Sequence, residues 1–155
     1  MATTISVAVS NKTYPIYIGR DLRATIQNWI QENGLSSETA AVITDESLVT
    51  EQRDWLEACF GGLPRLALPS GESTKSLANV ERCCEFMAEH RLDRRAVVFC
   101  VGGGVIGDLG GFAAASYLRG IRFVQVPTTV LAMVDSSVGG KTGVNIASGK
   151  NLVGA

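Results

Sequence analysis

The sequence predicts an α/β fold: a Rossmann-like, mostly parallel sheet with flanking helices and an N-terminal β-hairpin. Three observations carry that expectation. From residue 40 onwards, short β-rich runs alternate with stretches of helical apolar spacing, as repeated βα units with right-handed crossovers require. Residues 96–101 are continuously apolar, as a central parallel strand covered on both faces must be. The chain also opens with two β-rich runs, residues 4–9 and 13–18, parted by Ser10-Asn11-Lys12, which is hairpin turn chemistry.

Taken in order, residues 22–31 carry Leu22, Ile26, Trp29 and Ile30 at helical spacing, and Asn33-Gly34 supplies a stop, so a surface helix is expected. Residues 40–44 form a short buried-strand run, ending at Asp45-Glu46 where the next helix can start. One helix is expected over 48–59, a strand over 65–68, and a polar loop over 69–75. A helix from Ser76 places Leu77, Val80, Cys84, Met87 and Ala88 on one face. After the central strand, a glycine cluster introduces a helix over 107–118, followed by a strand over 122–126 and Pro127-Thr128-Thr129. Residues 136–154 break the pattern, being crowded with Gly, Ser, Lys and Asn. They are expected to be a loop built around a ligand, in a chain cut within a larger protein.

A length of 155 residues fits one domain with one core, spanning 1–155. The apolar fraction of 46% and net charge of -1 give no electrostatic footprint for nucleic acid or anionic membrane, so the expected partner is a small molecule. Any bound anion must then be held by local lysines and backbone amides. Cys59, Cys83, Cys84 and Cys100 show no CxxC spacing and only His90 is available to join them, so they read as reduced core residues and no metal site is expected. Met1-Ala-Thr-Thr-Ile-Ser lacks signal-peptide character and no apolar run reaches membrane-span length, which points to the cytoplasm.

Three groups of residues carry candidate chemistry. Gly102-Gly-Gly104-Val105-Ile106-Gly107 is a G-x-G-x-x-G between a strand and a helix. A missing Cβ there lets backbone amides approach a pyrophosphate at the helix N-terminus, or simply lets the helix pack tightly on the sheet. The usual acid some 20 residues downstream is replaced by Val126-Pro127-Thr128, whereas Asp45 stands upstream, as a ribose ligand or a plain helix cap. That reversed order suggests a dinucleotide fold with a different strand sequence. The second group, Val138-Gly-Gly-Lys141-Thr142, fails as a P-loop because Asp135 occupies the first glycine position. Lys141, Lys150 and Asn151 still read either as an anion site or as a solvated loop. The third group is Asp108, a helix-start carboxylate that would repel phosphate but suits ribose hydroxyls, with Asp135, expected to be partly desolvated, and Arg119, a surface cation by default.

These motifs belong to one continuous signature. The run from Gly102 to Ala155, with GGGVIGD, VPTTVLAMVDSSVGGKTGVN and GKNLVGA, resembles the central signature of 3-dehydroquinate synthases, and Ser70-Gly-Glu-Ser-Thr-Lys75 resembles that family's earlier nucleotide loop. The resemblance implies an N-terminal NAD-binding domain, and a mostly helical C-terminal domain, absent from this chain, that holds a divalent metal, zinc or cobalt. It implies conversion of the sugar phosphate 3-deoxy-D-arabino-heptulosonate 7-phosphate to 3-dehydroquinate and phosphate in the shikimate pathway of aromatic amino-acid biosynthesis. It assigns NAD contacts to Asp45, Ser70, Gly71, Glu72, Ser73, Thr74, Lys75, Gly104, Val105, Ile106, Gly107, Asp108, Thr128, Thr129, Lys141 and Lys150. Asp135 and Lys141 would be catalytic; Asp135 would bind ring hydroxyls, and Lys141 with Asn151 would face substrate anions. Arg119 would reach the phosphate in the neighbouring subunit of a homodimer. The family's metal-binding glutamate and histidines would lie downstream of residue 155, so this chain alone is expected to bind NAD weakly and to turn nothing over. Rival expectations are another NAD-dependent sugar-phosphate cyclase, a polyol dehydrogenase and a stand-alone nucleotide-binding module; a dehydrogenase needs no phosphate clamp.

Overall fold

The computed structural model describes residues 2–9 and 12–155. Strands β1 (Thr3–Val9) and β2 (Lys12–Ile18) pair antiparallel with Thr3 opposite Ile18 and Ile5 opposite Ile16, the expected hairpin. Ser10 and Asn11, on which the turn expectation falls, lie outside the described residues. Helix α1 (Arg23–Glu32) buries no residue completely and stops at Asn33, whose amide group donates to the Trp29 carbonyl at 2.9 Å. Gly34 follows at φ 61°, the left-handed conformation that glycine alone adopts without penalty.

Four parallel strands form the centre: β3 (Ala40–Asp45), β4 (Arg65–Leu68), β5 (Val97–Gly102) and β6 (Arg122–Pro127), in spatial order β4-β3-β5-β6. All of β5 is buried, as its uninterrupted apolar run predicts. Side chains alternate between two cores. Ala41, Ile43, Val98 and Cys100 meet α4 (Leu77–Glu89) and α5 (Gly104–Ser116) on one face. Val42, Val97, Phe99 and Val101 meet α1 and α3 (Arg53–Phe60) on the other, where Phe99 packs against Trp29 and Phe60. The result is a helix–sheet–helix sandwich.

Several details differ from the sequence expectation. The helix expected over 48–59 is two, α2 (Glu46–Glu51) and α3, with Gln52 off helical geometry between them. The Thr50 hydroxyl donates back to the Glu46 carbonyl at 3.0 Å, a bond that competes with helix propagation and bends the chain. On α4 the buried face is Val80, Cys83, Phe86 and Met87, while Leu77 and Ala88 are exposed and Cys84 is half-buried. Rotating the face toward Phe86 removes far more apolar surface from water than Ala88 would. Helix α5 begins at Gly104, three residues early, because close packing on the sheet overrides the poor helix propensity of its glycines. It ends at Ser116, and Tyr117–Arg119 forms a 3-10 turn in which Leu118 and Arg119 have φ of 50° and 66°.

The largest departure concerns residues 136–154. Instead of a loop they form β7 (Gly143–Ile146) and β8 (Gly149–Gly154), an antiparallel hairpin preceded by the short helix α6 (Val130–Val134). Val144 is fully buried, and Thr142 packs where Gly111 of α5 leaves room for it. The apolar alternation that builds this hairpin is masked in the sequence by Gly, Asn, Lys and Ser at the intervening positions.

All four cysteines are free, as expected; Cys59, Cys83 and Cys100 are buried. Burial pushes the Cys59 thiol up to about 11 and the Cys83 thiol up to about 12, and raises Cys100 further. Among the described residues no helix is long and apolar enough to cross a membrane. His90 is exposed at the end of α4, its ring 4.7 Å from that of Phe86.

Candidate functional site

The strand order fixes where a ligand can sit. From β3 the chain steps to one side to make β4, then returns to the other side to make β5 and β6, so the connections diverge above the carboxyl ends of β3 and β5. In an open parallel sheet this divergence leaves a crevice. Asp45 ends β3 and Gly102 ends β5, which places the acid and the glycine cluster on its two sides.

Of the two roles open to Asp45 by spacing, the structure shows the helix cap. Its Oδ1 caps α2, accepting from the Leu48 amide at 3.0 Å, and also accepts from the Ser47 and Ser70 hydroxyls at 2.5 and 3.3 Å. Ser70 thereby ties the loop after β4 to the end of β3. Oδ2 has no partner among the described residues, leaving an acceptor at the crevice.

The glycine cluster divides by role. A Cβ on Gly102 would come within 2.7 Å of Ile106, one on Gly107 within 2.7 Å of Gln125, and one on Gly110 within 2.6 Å of the Cys100 sulfur. These glycines seat α5 on the sheet. Gly103 and Gly104 are different: they are partly exposed, and the N-terminus of α5 has no side-chain cap. The first-turn amides of this 13-residue helix therefore point unpaired into the crevice, where the helix dipole favours an anion. Thr129 and Ser136 close in from the next segment, 3.4 and 3.2 Å from where Cβ atoms of Gly103 and Gly104 would be. The Thr128 amide donates to the Gly102 carbonyl at 2.9 Å, and the Thr129 hydroxyl caps α6 by accepting from Ala132 at 3.2 Å.

Asp108 would repel a phosphate at this helix start were it unpaired. Lys75 answers it: the ammonium lies 2.5 Å from Asp108 Oδ2, with the two side chains 6% and 18% exposed. The 3-10 turn Glu72–Thr74, whose Thr74 hydroxyl donates to the Pro69 carbonyl at 2.6 Å, delivers Lys75 to that position. The same loop reaches the β7–β8 hairpin, since Asn145 donates to Glu72 at 2.7 Å and the Lys150 ammonium stands 4.0 Å from the same carboxylate oxygen. The Asn151 amide donates to Asn145 Oδ1 at 2.9 Å.

The structure thus joins Asp45, residues 70–75, Gly103, Gly104, Asp108, Thr128, Thr129, Lys150 and Asn151 in one contiguous region. Ile106 and Gly107 lie buried against the sheet and Val105 is half-buried beside Gly104, while Asp135, Lys141 and Arg119 fall outside these contacts. Asp135 is exposed, not partly desolvated, because α6 buries only Ala132 and turns Val130, Leu131 and Val134 outward at 77%, 72% and 73% exposure. Lys141 is exposed after Gly139 and Gly140, which have φ of 103° and 87°, and it makes no ion pair among the described residues. Arg119 lies at the far end of α5, roughly 20 Å along the helix from Gly104 at 1.5 Å per residue. It cannot reach this crevice within its own chain.

Asn145, Ser136 and Gln125 escaped the sequence reading. Asn145 had one signal: an amide inside an otherwise β-branched strand segment is out of place unless its hydrogen bonds are needed. Two surface concavities, of about 360 Å³ between α1 and α3 and about 510 Å³ along α2 and α3, are lined by none of the candidate residues. Among the described residues no three His, Cys, Asp or Glu side chains cluster closely enough to hold a metal ion.

Comparison with known proteins bears on the fold and the family. The family model described as 3-dehydroquinate synthase N-terminal matches residues 65–155. A 3-dehydroquinate synthase of Opitutus terrae is 55% identical over 155 residues, covering all of this chain and 43% of the relative. A solved 2-deoxy-scyllo-inosose synthase complexed with carbaglucose-6-phosphate, NAD+ and Co2+ superposes with a TM-score of 0.85 at 30% identity, over 99% of this chain and 43% of that one. A 2-epi-5-epi-valiolone synthase of Streptomyces hygroscopicus with NAD+ and Zn2+ bound gives 0.73 at 28% identity, over 96% and 42%. The chain spans less than half the length of these proteins. With its parallel sheet, its glycine turn and a family match across more than half its residues, the chain belongs to the 3-dehydroquinate synthase family, in that family's N-terminal part.

Proposed function

We propose that this chain is the NAD-binding half of a 3-dehydroquinate synthase, which converts 3-deoxy-D-arabino-heptulosonate 7-phosphate to 3-dehydroquinate and phosphate. The observation that carries this reading is the uncapped start of α5 at a topological switch point, with an acceptor oxygen on one side and the lysine-bearing hairpin on the other. Its donor set fits a dinucleotide. The amides of Gly104, Val105 and Ile106 would receive the diphosphate above Gly107, whose own amide donates to the Gly103 carbonyl at 3.1 Å, and Asp45 Oδ2 would accept from a ribose hydroxyl. The Lys75–Asp108 pair keeps the net charge beside the diphosphate near zero while leaving the Asp108 carboxylate able to accept a hydroxyl. Ser70, Gly71, Glu72, Ser73 and Thr74 would wall the nucleotide, and Thr128 and Thr129 would border the reacting ring. The Thr129 hydroxyl, already an acceptor for Ala132, keeps its proton to donate. When bound, NAD supplies transient removal and return of hydride, which makes phosphate loss possible.

On the substrate side, Asp135 would hold ring hydroxyls, while Lys141 and Asn151 would face anionic groups; Lys141 and Lys150 would also contact NAD. Arg119, thrust out by its left-handed backbone, would serve the second subunit of a homodimer. Among the described residues no group of His, Cys, Asp or Glu offers a metal centre. A divalent ion such as those in the similar structures would be held by a further, helical domain, and the outward apolar face of α6 would suit contact with it. The resulting enzyme would work in the cytoplasm. The same site would also serve another sugar-phosphate cyclase; the 55% identity to a 3-dehydroquinate synthase, against 30% to the inosose synthase, favours the first.

Titration of the chain with NAD, followed by backbone amide resonances, tests the proposal. Shifts should concentrate at Gly104 to Asp108 and at Lys75. Asn is as good a helix cap as Asp, so Asp45→Asn should leave the melting temperature within a few degrees while weakening NAD roughly tenfold through loss of a charged acceptor. A spectrum unmoved by millimolar NAD would sink the reading.

A further inference from the structure

The β7–β8 hairpin is irregular at one place. Val144 pairs with Val153 and Ile146 with Gly149, so the register slips between them and Asn145 faces Lys150, Asn151 and Leu152 together. Asn151, in this bulge, has φ of 55°. Bulges commonly re-aim side chains beside functional sites, and a non-glycine residue in the left-handed region needs support. Asn145 supplies it by accepting the Asn151 amide at 2.9 Å.

Asn145 directs its two other hydrogen bonds to the loop of residues 70–75. Its backbone amide donates to the Lys75 carbonyl at 2.9 Å, in a short parallel bridge beside Ser76. Its Nδ2 donates to Glu72 Oε1 at 2.7 Å. The amide orientation is forced by its neighbours, because an N–H can face only the oxygen and a carboxylate only the nitrogen. One side chain therefore hydrogen-bonds both the loop of residues 70–75 and the bulge that carries Lys150 and Asn151; beside it the Lys150 ammonium stands 4.0 Å from the same Glu72 oxygen, at the limit of an ion pair.

We propose that Asn145 is a positioning residue that couples the 70–75 loop to the Lys150–Asn151 bulge, so that occupancy of the nucleotide loop fixes the anion-facing bulge. The functional meaning of this coupling rests on the nucleotide reading above; the coupling itself does not. Ordering the loop around Glu72 and Lys75 removes freedom from Asn145, and Asn151 inherits the restriction through the amide bond. By reciprocity, an anion held at Lys150 and Asn151 tightens the nucleotide.

Amide hydrogen exchange and chemical shifts in the ligand-free chain give the first test. Asn145→Asp keeps the acceptor for Asn151 but replaces the donor to Glu72 with a like charge. It should raise exchange at Asn151 and at residues 73–75 about fivefold, the effect of one ordinary hydrogen bond. Combining it with Glu72→Gln restores a donor–acceptor pair in reverse and should return both segments toward wild type. A role confined to the hairpin would leave residues 73–75 unmoved in Asn145→Asp, and no recovery in the double variant would also overturn the coupling. In a second test, NAD is titrated into wild type and Asn145→Ala. Wild-type Asn151 should shift in step with residues 70–75, and in Asn145→Ala the loop shifts should persist while those at Asn151 vanish. Equal Asn151 shifts in both refute the coupling. If NAD moves nothing in wild type, the nucleotide reading falls and the ligand-free exchange still decides whether Asn145 couples the two segments.

Discussion

A methyl group placed on Gly110 would lie 2.6 Å from the sulfur of Cys100, whereas one placed on Gly139 or Gly140 would meet nothing within 4 Å. Both regions look the same in the sequence, as glycine-rich stretches beside candidate ligands. In the first, from Gly102 to Gly111, the glycines mostly exist because a helix lies close on a sheet, and only Gly103 and Gly104 face outward. In the second, Gly139 and Gly140 exist because the chain turns through left-handed φ of 103° and 87° in open space. One is a closed region where volume decides, the other an open one where backbone conformation decides. A glycine motif therefore announces a need for missing side chains without saying which need it is.

The largest effect that should separate them is steric. Gly110→Ala gains about 1 kcal/mol of helix propensity but forces overpacking against Cys100, so a net loss of roughly 1–2 kcal/mol is expected in denaturant unfolding. Adding Cys100→Ala should recover most of it. Stability unchanged in the single variant, or no recovery in the double, would mean that α5 does not sit on β5 as described.

The closed region should also show itself through pH. Burial holds the Cys83 thiol up to about 12, with Cys100 raised further, against 9.0 for the ordinary thiol. The unfolded chain thus loses these protons from about pH 9 while the folded chain keeps them. Stability is fully present below 9 and falls as pH rises toward 12, by about 1 kcal/mol per pH unit for each such thiol. Denaturation midpoints between pH 8 and 10.5 measure the slope, which Cys83→Ala should flatten. Gly139→Ala should leave that slope untouched. Its own cost should be about 1 kcal/mol of left-handed strain, with no neighbouring truncation able to relieve it. Rescue by trimming a nearby side chain would erase the distinction between the two regions.

How legible each region was follows from the same difference. The closed region was readable because burial on both faces leaves a plain trace: the apolar run of β5 marked a central strand, and Asp45 upstream of the glycines signalled the altered strand order. The packing roles of Gly107, Gly110 and Gly111 were not, since they depend on Gln125, Cys100 and Thr142, which are distant in sequence. In the open region Lys150 and Asn151 were legible as polar side chains among glycines but not as part of a strand. The alternation around Val144 and Val153 is short and interrupted by a bulge, so a hairpin read as a loop. Asp135 was misjudged for a related reason, because its apolar neighbours Leu131 and Val134 suggested a core and are turned outward. The Lys75–Asp108 and Asn145–Glu72 contacts link segments far apart in the chain and had no local signature.

The smallest expected effect probes how closed the sheet is at its boundary with the crevice. Thr44 lies one residue before Asp45, fully buried, and its hydroxyl has no hydrogen-bond partner among the described residues. Its side chain shares the face of Val42, packed between Ala67 of β4 and Val101 of β5. An unpaired buried hydroxyl costs free energy that a methyl group of the same shape does not. Thr44→Val should therefore raise stability by about 0.5–1 kcal/mol, seen as a small rise in melting temperature, with NAD affinity unaltered because the Asp45 cap is untouched. If Thr44→Val instead destabilises the chain, the hydroxyl is hydrated or paired in solution. The polar crevice then penetrates one residue deeper between β3 and β5 than the boundary at Asp45 and Gly102.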